Sequence, residues 1–343
     1  MMGIRTRLRT ALVALVLGVG IGLSAATATA PEAAAQQQPA APPAATEQML
    51  FNYLQGNVEG RVTIPDRRAA TLIQPAGRDF QEFWRSTMKW IGGIAILGML
   101  AVLAIFYLVR GTIRIEAGPS GRTIQRFNGV ERFAHWLTAS TFIVLGITGL
   151  NITFGRELLL PLIGPDAFTA WSELAKVAHN YLSFPFTLGV VLMLVLWVKD
   201  NLPSATDARW FAEGGGLIGH GHPPARKFNA GQKLIFWSVV LGGAAIAVTG
   251  YIMMFPFQFW ATDIAGMQLA IQLHGIIALV MIAIILAHIY IGSLGMEGAF
   301  AAMGTGRVDL NWAKEHHSLW VDEMMSGGRA AAAPPGARSA GAD

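Results

Sequence analysis

The sequence predicts an all-α integral membrane protein on three observations. First, 53% of its 343 residues are hydrophobic and only 13% are charged, unlike an average soluble domain. Second, no alternation of polar and apolar residues indicates strands. Third, crossing the hydrocarbon core as a helix takes about 20 apolar residues. Five stretches meet that length: 90–109, 133–153, 177–198, 234–255 and 270–294.

The N-terminus has the pattern of a cleavable secretory signal. Arg5, Arg7 and Arg9 precede the apolar run ALVALVLGVGIGLSAA, and small residues follow it. We expect residues 1–35 to be removed, with an uncleaved first helix as the alternative. Residues 36–85 begin rich in Ala, Pro and Gln and are expected to form an extracytoplasmic extension. The low-complexity tail, 326–343, is expected to be disordered.

Basic residues predict the orientation, because cytoplasmic loops carry excess Lys and Arg. The connections after the first and third stretches are basic, whereas the opposite connections hold only Arg156 and Lys176. The prediction is a multi-pass protein of the bacterial inner membrane, with a periplasmic mature N-terminus and a cytoplasmic C-terminus. The basic residues of the two cytoplasmic connections are Arg110, Arg114, Arg122, Arg126, Arg132, Lys199, Arg209, Arg226, Lys227 and Lys233.

The composition also excludes several kinds of chemistry. The chain has no cysteine, which excludes disulfides, thiolate-held iron–sulfur clusters and c-type haem attachment. No basic run is interleaved with aromatic residues, so no nucleic-acid partner is expected.

Four of the eight histidines lie inside or at the edge of a predicted span. Ionisable groups are costly there, and such residues are functional candidates. His274 and His288 are 14 residues apart, which puts them on one helix face about 21 Å apart along the axis. His135 opens a span on the cytoplasmic side and His179 opens one outside. The prediction is an outer pair, His179 with His274, and an inner pair, His135 with His288.

Two imidazoles facing each other at one depth could hold a haem iron from both sides, an arrangement suited to electron transfer. The second ring nitrogen of each should then donate to a carbonyl, hydroxyl or propionate. Two alternatives stay open: packing histidines and a haem-free transporter with a histidine relay. Glycines on these helices fit either a flat macrocycle or close helix packing, namely Gly146, Gly149, Gly189, Gly250 and Gly275.

Asn229 to Lys233, NAGQK, precedes the fourth stretch. By residue type these positions favour a helix cap, with Gln three residues after Asn as in a capping box.

Several motifs together resemble one family. They are RFNGVERFAHW, KVAHNYLSFPF, KFNAGQKLIFWS, QLHG, LAHIYIGSLGMEGAF and DLNWAKEHHSLW. From about residue 126 to 325 the chain resembles the cytochrome b (gamma) subunits of membrane-bound respiratory formate dehydrogenases, in a long form with an N-terminal extension. The resemblance implies a four-helix transmembrane dihaem cytochrome b bundle, here with one additional N-terminal transmembrane helix at 86–110, whose role it leaves open.

What the family does is implied in the same way. Two haems b would have the axial ligand pairs given above, and Asn229, Gly231 and Gln232 would line a quinone site with His288. Electrons would pass from an iron–sulfur beta subunit to quinone, menaquinone or ubiquinone, on the cytoplasmic side. Formate oxidation would lie in a molybdenum or tungsten alpha subunit. The nearest alternative is the same cytochrome serving a hydrogenase or another molybdoenzyme.

The other four histidines are weaker candidates. His220 and His222 lie in EGGGLIGHGHPP, expected to be a flexible loop, since two ligands do not make a structural zinc site. His316 and His317 fit either an interface with the iron–sulfur partner or a solvated helix end.

Overall fold

The computed structural model describes residues 60–61, 71–72, 75–217, 221–256, 258 and 263–326. The predicted signal peptide, most of the predicted extension, His220 and the predicted tail beyond residue 326 lie outside these residues. The chain divides into two compact units, Met1–Gln74 and Pro75–Asp343. In the first, β1 (Gly60–Arg61) pairs antiparallel with β2 (Thr71–Leu72).

The second unit contains five helices long and apolar enough to cross a membrane, which confirms the predicted fold class. Each is longer than its apolar stretch, because residues before that stretch are also helical. A short helix, α4 (Ala205–Ala212), lies between the third and fourth of them. The five are α1 (Asp79–Arg110), α2 (Gly129–Leu158), α3 (Leu160–Trp197), α5 (Ala230–Met254) and α6 (Ile264–Gly295).

Local sequence explains where the helices begin. Asn128 starts α2 with a capping box, its Oδ1 accepting from the Glu131 backbone N–H at 3.0 Å while Glu131 Oε2 accepts from the Asn128 backbone N–H. The one non-helical residue within α3 is Gly164, with φ of 80°. Pro185, expected near the end of a span, lies well inside α3, because that helix begins before its apolar stretch.

The predicted extra helix packs on the bundle. In α1, Met88 is fully buried, and a Cβ on Gly275 of α6 would lie 2.8 Å from Met88 Cε and 3.1 Å from the Trp84 ring. Only 6% of the most apolar window of α1 is buried, against 22–33% in the other spans. Helix α1 is therefore peripheral, with most of its surface left for lipid.

A layer of loops and short elements, which we call the end layer, covers the side where α1, α3 and α6 end and α2 and α5 begin. It consists of residues 111–128, 198–217, 221–229 and 296–326. Within it, β3 (Thr123–Gln125) pairs antiparallel with β4 (Arg307–Asp309). Trp197 Nε1 donates to Glu131 Oε1 at 2.9 Å and so joins the end of α3 to the start of α2. The layer also holds α7 (Ala301–Gly304), α8 (Leu310–His316) and α9 (Ser318–Ser326).

Candidate haem and quinone sites

The inner pair of histidines joins α2 to α6. The ring centroids of His135 and His288 are 6.1 Å apart, with 58° between the planes. His135 also packs edge-on against Trp136, whose Nε1 donates to the Met303 carbonyl at 3.0 Å. His135 Nδ1 is buried and has no hydrogen-bond partner among the described residues. The inner pair thus lies beside the end layer.

The outer pair joins α3 to α6. The ring centroids of His179 and His274 are 6.2 Å apart, with 68° between the planes. Both pairs therefore face each other as the spacing predicted, and His274 and His288 place them about 21 Å apart along α6. In neither pair does a hydrogen bond join the two rings in the described part of the chain.

Threonine hydroxyls orient both outer rings. Thr148 Oγ1 lies 2.9 Å from His179 Nδ1, and Thr249 Oγ1 lies 3.1 Å from His274 Nδ1. Each hydroxyl also donates its single hydrogen to the carbonyl four residues back, Val144 at 2.8 Å and Ala245 at 2.7 Å. The hydroxyl can then only accept from the ring, so Nδ1 carries the hydrogen and Nε2 keeps its lone pair.

The residue after each threonine is a glycine. A Cβ on Gly149 would lie 3.3 Å from His179 Cε1, and one on Gly250 would lie 3.3 Å from His274 Cε1. The threonine–glycine pair therefore lets each ring lie against the neighbouring helix while its nitrogen is held. This pair occurs once in α2, beside His179 of α3, and once in α5, beside His274 of α6. The α2–α3 and α5–α6 hairpins therefore hold their outer histidines in the same way.

The sequence motif before α5 forms the helix cap that its residue types favoured. Asn229 Oδ1 accepts from the Gln232 backbone N–H at 2.9 Å, and Gln232 Oε1 accepts from the Asn229 backbone N–H at 3.1 Å. Gln232 Oε1 also accepts from Arg126 Nη2 at 3.1 Å. A Cβ on Gly231 would lie 3.0 Å from the Trp210 ring, so this glycine allows close packing. None of these described hydrogen bonds reaches His288.

Three further histidines, His222, His316 and His317, lie in the end layer, whereas His220 is outside the described residues. His317 is fully buried, and its Nδ1 donates to the Arg226 carbonyl at 2.7 Å. The alternative that it belongs to a solvated helix end is therefore wrong for His317. Burial lowers the pKa of His317 well below its ordinary value and that of His316 to about 4. His222 lies in a loop with Nε2 3.1 Å from Glu116 Oε2, and its ring centroid is 6.1 Å from that of His316.

The fold defines a multi-pass membrane protein of the cytochrome b type, in which histidines of neighbouring helices face each other. Residues 126–306 match the model of the prokaryotic cytochrome b561 family, and the chain belongs to that family. The matched region contains all four paired histidines and the Asn229 cap, and it begins after α1. Family membership implies b-type haem.

The chain is also similar to cytochrome b556 subunits of formate dehydrogenases. The chain is 28% identical over 204 residues to the formate dehydrogenase cytochrome b556(fdo) subunit of Escherichia coli K12, covering 59% of this chain and 93% of that protein. It is 25% identical over 207 residues to the nitrate-inducible cytochrome b556(Fdn) subunit of the same strain, covering 59% and 92%. The cytochrome b556 subunit of Haemophilus influenzae formate dehydrogenase is 29% identical over 217 residues, covering 62% and 87%. The resemblance predicted from the motifs is confirmed.

Proposed function

We propose that this chain is the membrane-anchoring electron-transfer subunit of a formate dehydrogenase, carrying electrons through two haems b to quinone. The observation that carries the proposal is the pair of facing histidine couples, with ring centroids 6.1 and 6.2 Å apart, near opposite ends of the bundle. The similarity to cytochrome b556 subunits of formate dehydrogenases supports the choice of electron donor.

The residues present fit a haem iron in each pair. With metal–imidazole bonds of about 2 Å, an iron between two facing rings holds their centroids about 6 Å apart. His179 and His274 would hold the outer iron, and His135 and His288 the inner one. Haem iron would supply one-electron chemistry at each pair.

The protein's own part is to fix the rings. In the outer pair, Thr148 and Thr249 hold Nδ1–H of each imidazole, which leaves Nε2 directed to a metal. In the inner pair, the buried and unpartnered His135 Nδ1 is a donor that suits a haem propionate or a water molecule. Helix packing around both sites excludes bulk water, so charge moves between fixed positions.

The quinone site is proposed at the cap of α5, with His288 of the inner pair. The cap uses the side-chain oxygens of Asn229 and Gln232 and leaves both NH₂ groups without a partner among the described residues. Capping and quinone binding are therefore compatible, because a quinone carbonyl needs donors and both amides still offer them. Gly231 is included in the proposed site through the family resemblance, and the Trp210 ring fills the space beside its Cα.

The orientation is proposed from the charge pattern. The end layer contains the basic loops, so it would face the cytoplasm and quinone would take its protons from that side. The mature N-terminus after removal of residues 1–35, together with the extension to residue 85, would be periplasmic in a bacterial inner membrane. The partners would be an iron–sulfur beta subunit and a molybdenum or tungsten alpha subunit.

The test uses the complex that purifies with the tagged full chain. Formate, added without oxygen, should reduce the haem absorption bands, and a short-chain quinone should then reoxidise them. Hydrogen in place of formate is the control for the hydrogenase alternative. Reduction by hydrogen and not by formate contradicts the proposed donor, and haem that formate reduces but quinone leaves reduced contradicts the proposed acceptor.

A further inference from the structure

Arg126 is a buried arginine without an acidic partner. It is 4% exposed, and in the described part of the chain no carboxylate forms an ion pair with it. The nearby carboxylate of Glu131 is occupied by Lys227, whose Nζ lies 2.6 Å from Glu131 Oε1. Nη2 of Arg126 donates to the Lys227 carbonyl at 2.7 Å and to Gln232 Oε1 at 3.1 Å. Both acceptors are neutral oxygens, so the positive charge stays uncompensated by protein acids.

Aromatic rings surround this guanidinium. Its Cζ lies 5.2 Å from the Phe127 ring centroid, 5.1 Å from that of Trp312 and 5.9 Å from that of Trp320. Cation–π contacts of this kind offset part of the cost of burying the charge. Burial lowers the pKa of Arg126 to about 9, so the side chain remains protonated at neutral pH.

The hydrogen bond from Arg126 determines how Gln232 is oriented. Two donors, Arg126 Nη2 and the Asn229 backbone N–H, hold the Gln232 oxygen. The Gln232 NH₂ group must then point away from the arginine. A charged donor on the oxygen also polarises the amide and makes its N–H groups stronger donors.

We propose that Arg126 is a positioning residue for quinone reduction: it orients Gln232 and stabilises the negative charge that the quinone oxygen gains. The proposal rests on the quinone site proposed above. Quinone accepts two electrons, delivered through the haems, and two protons from water on the same side of the membrane, and becomes the quinol. Arg126 keeps its proton throughout and acts one hydrogen bond away, through the Gln232 amide, where a fixed charge is effective in a low-dielectric site.

The test compares Arg126→Gln, Arg126→Lys and the matched control Arg114→Gln in the full complex. Arg114 is an exposed arginine of the same end layer, 4.0 Å from Glu297. With a short-chain quinone, Arg126→Gln should lower kcat about tenfold, because the charged hydrogen bond that orients and polarises the Gln232 amide is lost. Arg126→Lys keeps the positive charge but lacks the planar guanidinium with its several N–H donors. Its kcat should therefore be close to that of the wild type, while its KM for quinone should be higher than that of the wild type. The control should match the wild type.

Three results separate the possibilities. A wild-type complex whose haem is not reoxidised by quinone contradicts the proposed function itself. A wild type that is reoxidised, with Arg126→Gln equal to it in kcat and KM, overturns only the role of Arg126. If the variants lose haem, a structure of the wild-type complex with a bound quinone analogue provides an independent test. Gln232 Nε2 should face the analogue's carbonyl, whereas Gln232 Oε1 facing it, or Arg126 paired with a partner's carboxylate, overturns the proposal.

Discussion

The outer and inner halves of the bundle support their histidines in different ways. The outer rings are held by hydroxyls of the adjacent helices, Thr148 and Thr249. The inner rings lie beside the end layer, where Lys227, Glu131 and Arg126 form charged and polar contacts. In the proposed function, the outer half would hold two haem ligands in place. The inner half adds a buried charge and free amide donors, which a site that changes the charge and protonation of a substrate needs.

The largest expected effect comes from removing one ligand of the outer pair. His179→Ala or His274→Ala should abolish the outer haem and retain the inner one, because the two pairs share a helix but no ligand. The haem content measured by a haem assay should fall from two to one per chain. Loss of both haems, or of neither, would show that the pairs are not independent sites.

Removing the quinone-site donors while keeping the cap is expected to have the next largest effect. Asn229→Asp and Gln232→Glu retain the oxygens that cap α5 but lack the NH₂ groups. Both haems should remain, and reoxidation by quinone should slow by about 10- to 100-fold, as expected for losing a hydrogen bond to an oxygen that gains charge. Stopped-flow absorption of the haem bands measures the rate.

The same comparison includes Asn229→Ala and Gln232→Ala, which remove cap and donors together. These should also retain haem and slow reoxidation. Unchanged reoxidation in all four variants would leave the motif as a helix cap alone.

A smaller effect is expected from the threonines that distinguish the outer half. Thr148→Val or Thr249→Val keeps the shape but removes the hydroxyl that fixes the imidazole tautomer. Loss of such a partner typically costs about 10- to 100-fold in metal affinity. Outer haem should therefore dissociate more readily in competition with apomyoglobin, while the inner haem is unaffected.

The matched control is Thr141→Val, whose hydroxyl donates to the Leu137 carbonyl in the same helix and contacts no histidine. Equal haem loss in the control and in Thr148→Val would assign the effect to packing and remove the argument for tautomer control.

The smallest effect is expected at the periphery. Gly275→Ala places a methyl group against Met88 and Trp84 of α1. Overpacking of this kind costs about 1–3 kcal/mol, near the lower limit here because a methionine end can move. The midpoint temperature at which helicity is lost in detergent should decrease slightly, and the haem content should stay at the wild-type level. A large loss of haem would mean that α1 is part of the haem-binding fold.

Much of the fold and of the histidine geometry could be predicted, because both follow from helix periodicity. A separation of 14 positions places His274 and His288 on one helix face, and the lengths of the apolar stretches predict the spans. Pro185 was expected near a helix end because hydropathy does not detect the first turns of α3, in which polar and apolar residues are mixed. The burial of His317 depends on contacts between the end-layer segments, which are far apart in sequence and leave no local pattern.

The orienting threonines were missed although the sequence carries a sign of them. Within the predicted spans, the dipeptide Thr–Gly occurs at Thr148 and at Thr249, each time in the helix that precedes a histidine helix. Comparing the two hairpins as internal repeats would have found it. The sequence has no comparable sign of the role proposed for Arg126. That role depends on burial without an acidic partner among the described residues, which tertiary packing decides.

The most direct test of the central claim is a haem assay combined with low-temperature electron paramagnetic resonance of the purified complex. Two b-type haems per chain, both low-spin with two histidine ligands, are the predicted result. A folded chain with no haem or a single one, or a high-spin signal from an iron with an open position, would contradict the assignment of the two facing histidine pairs.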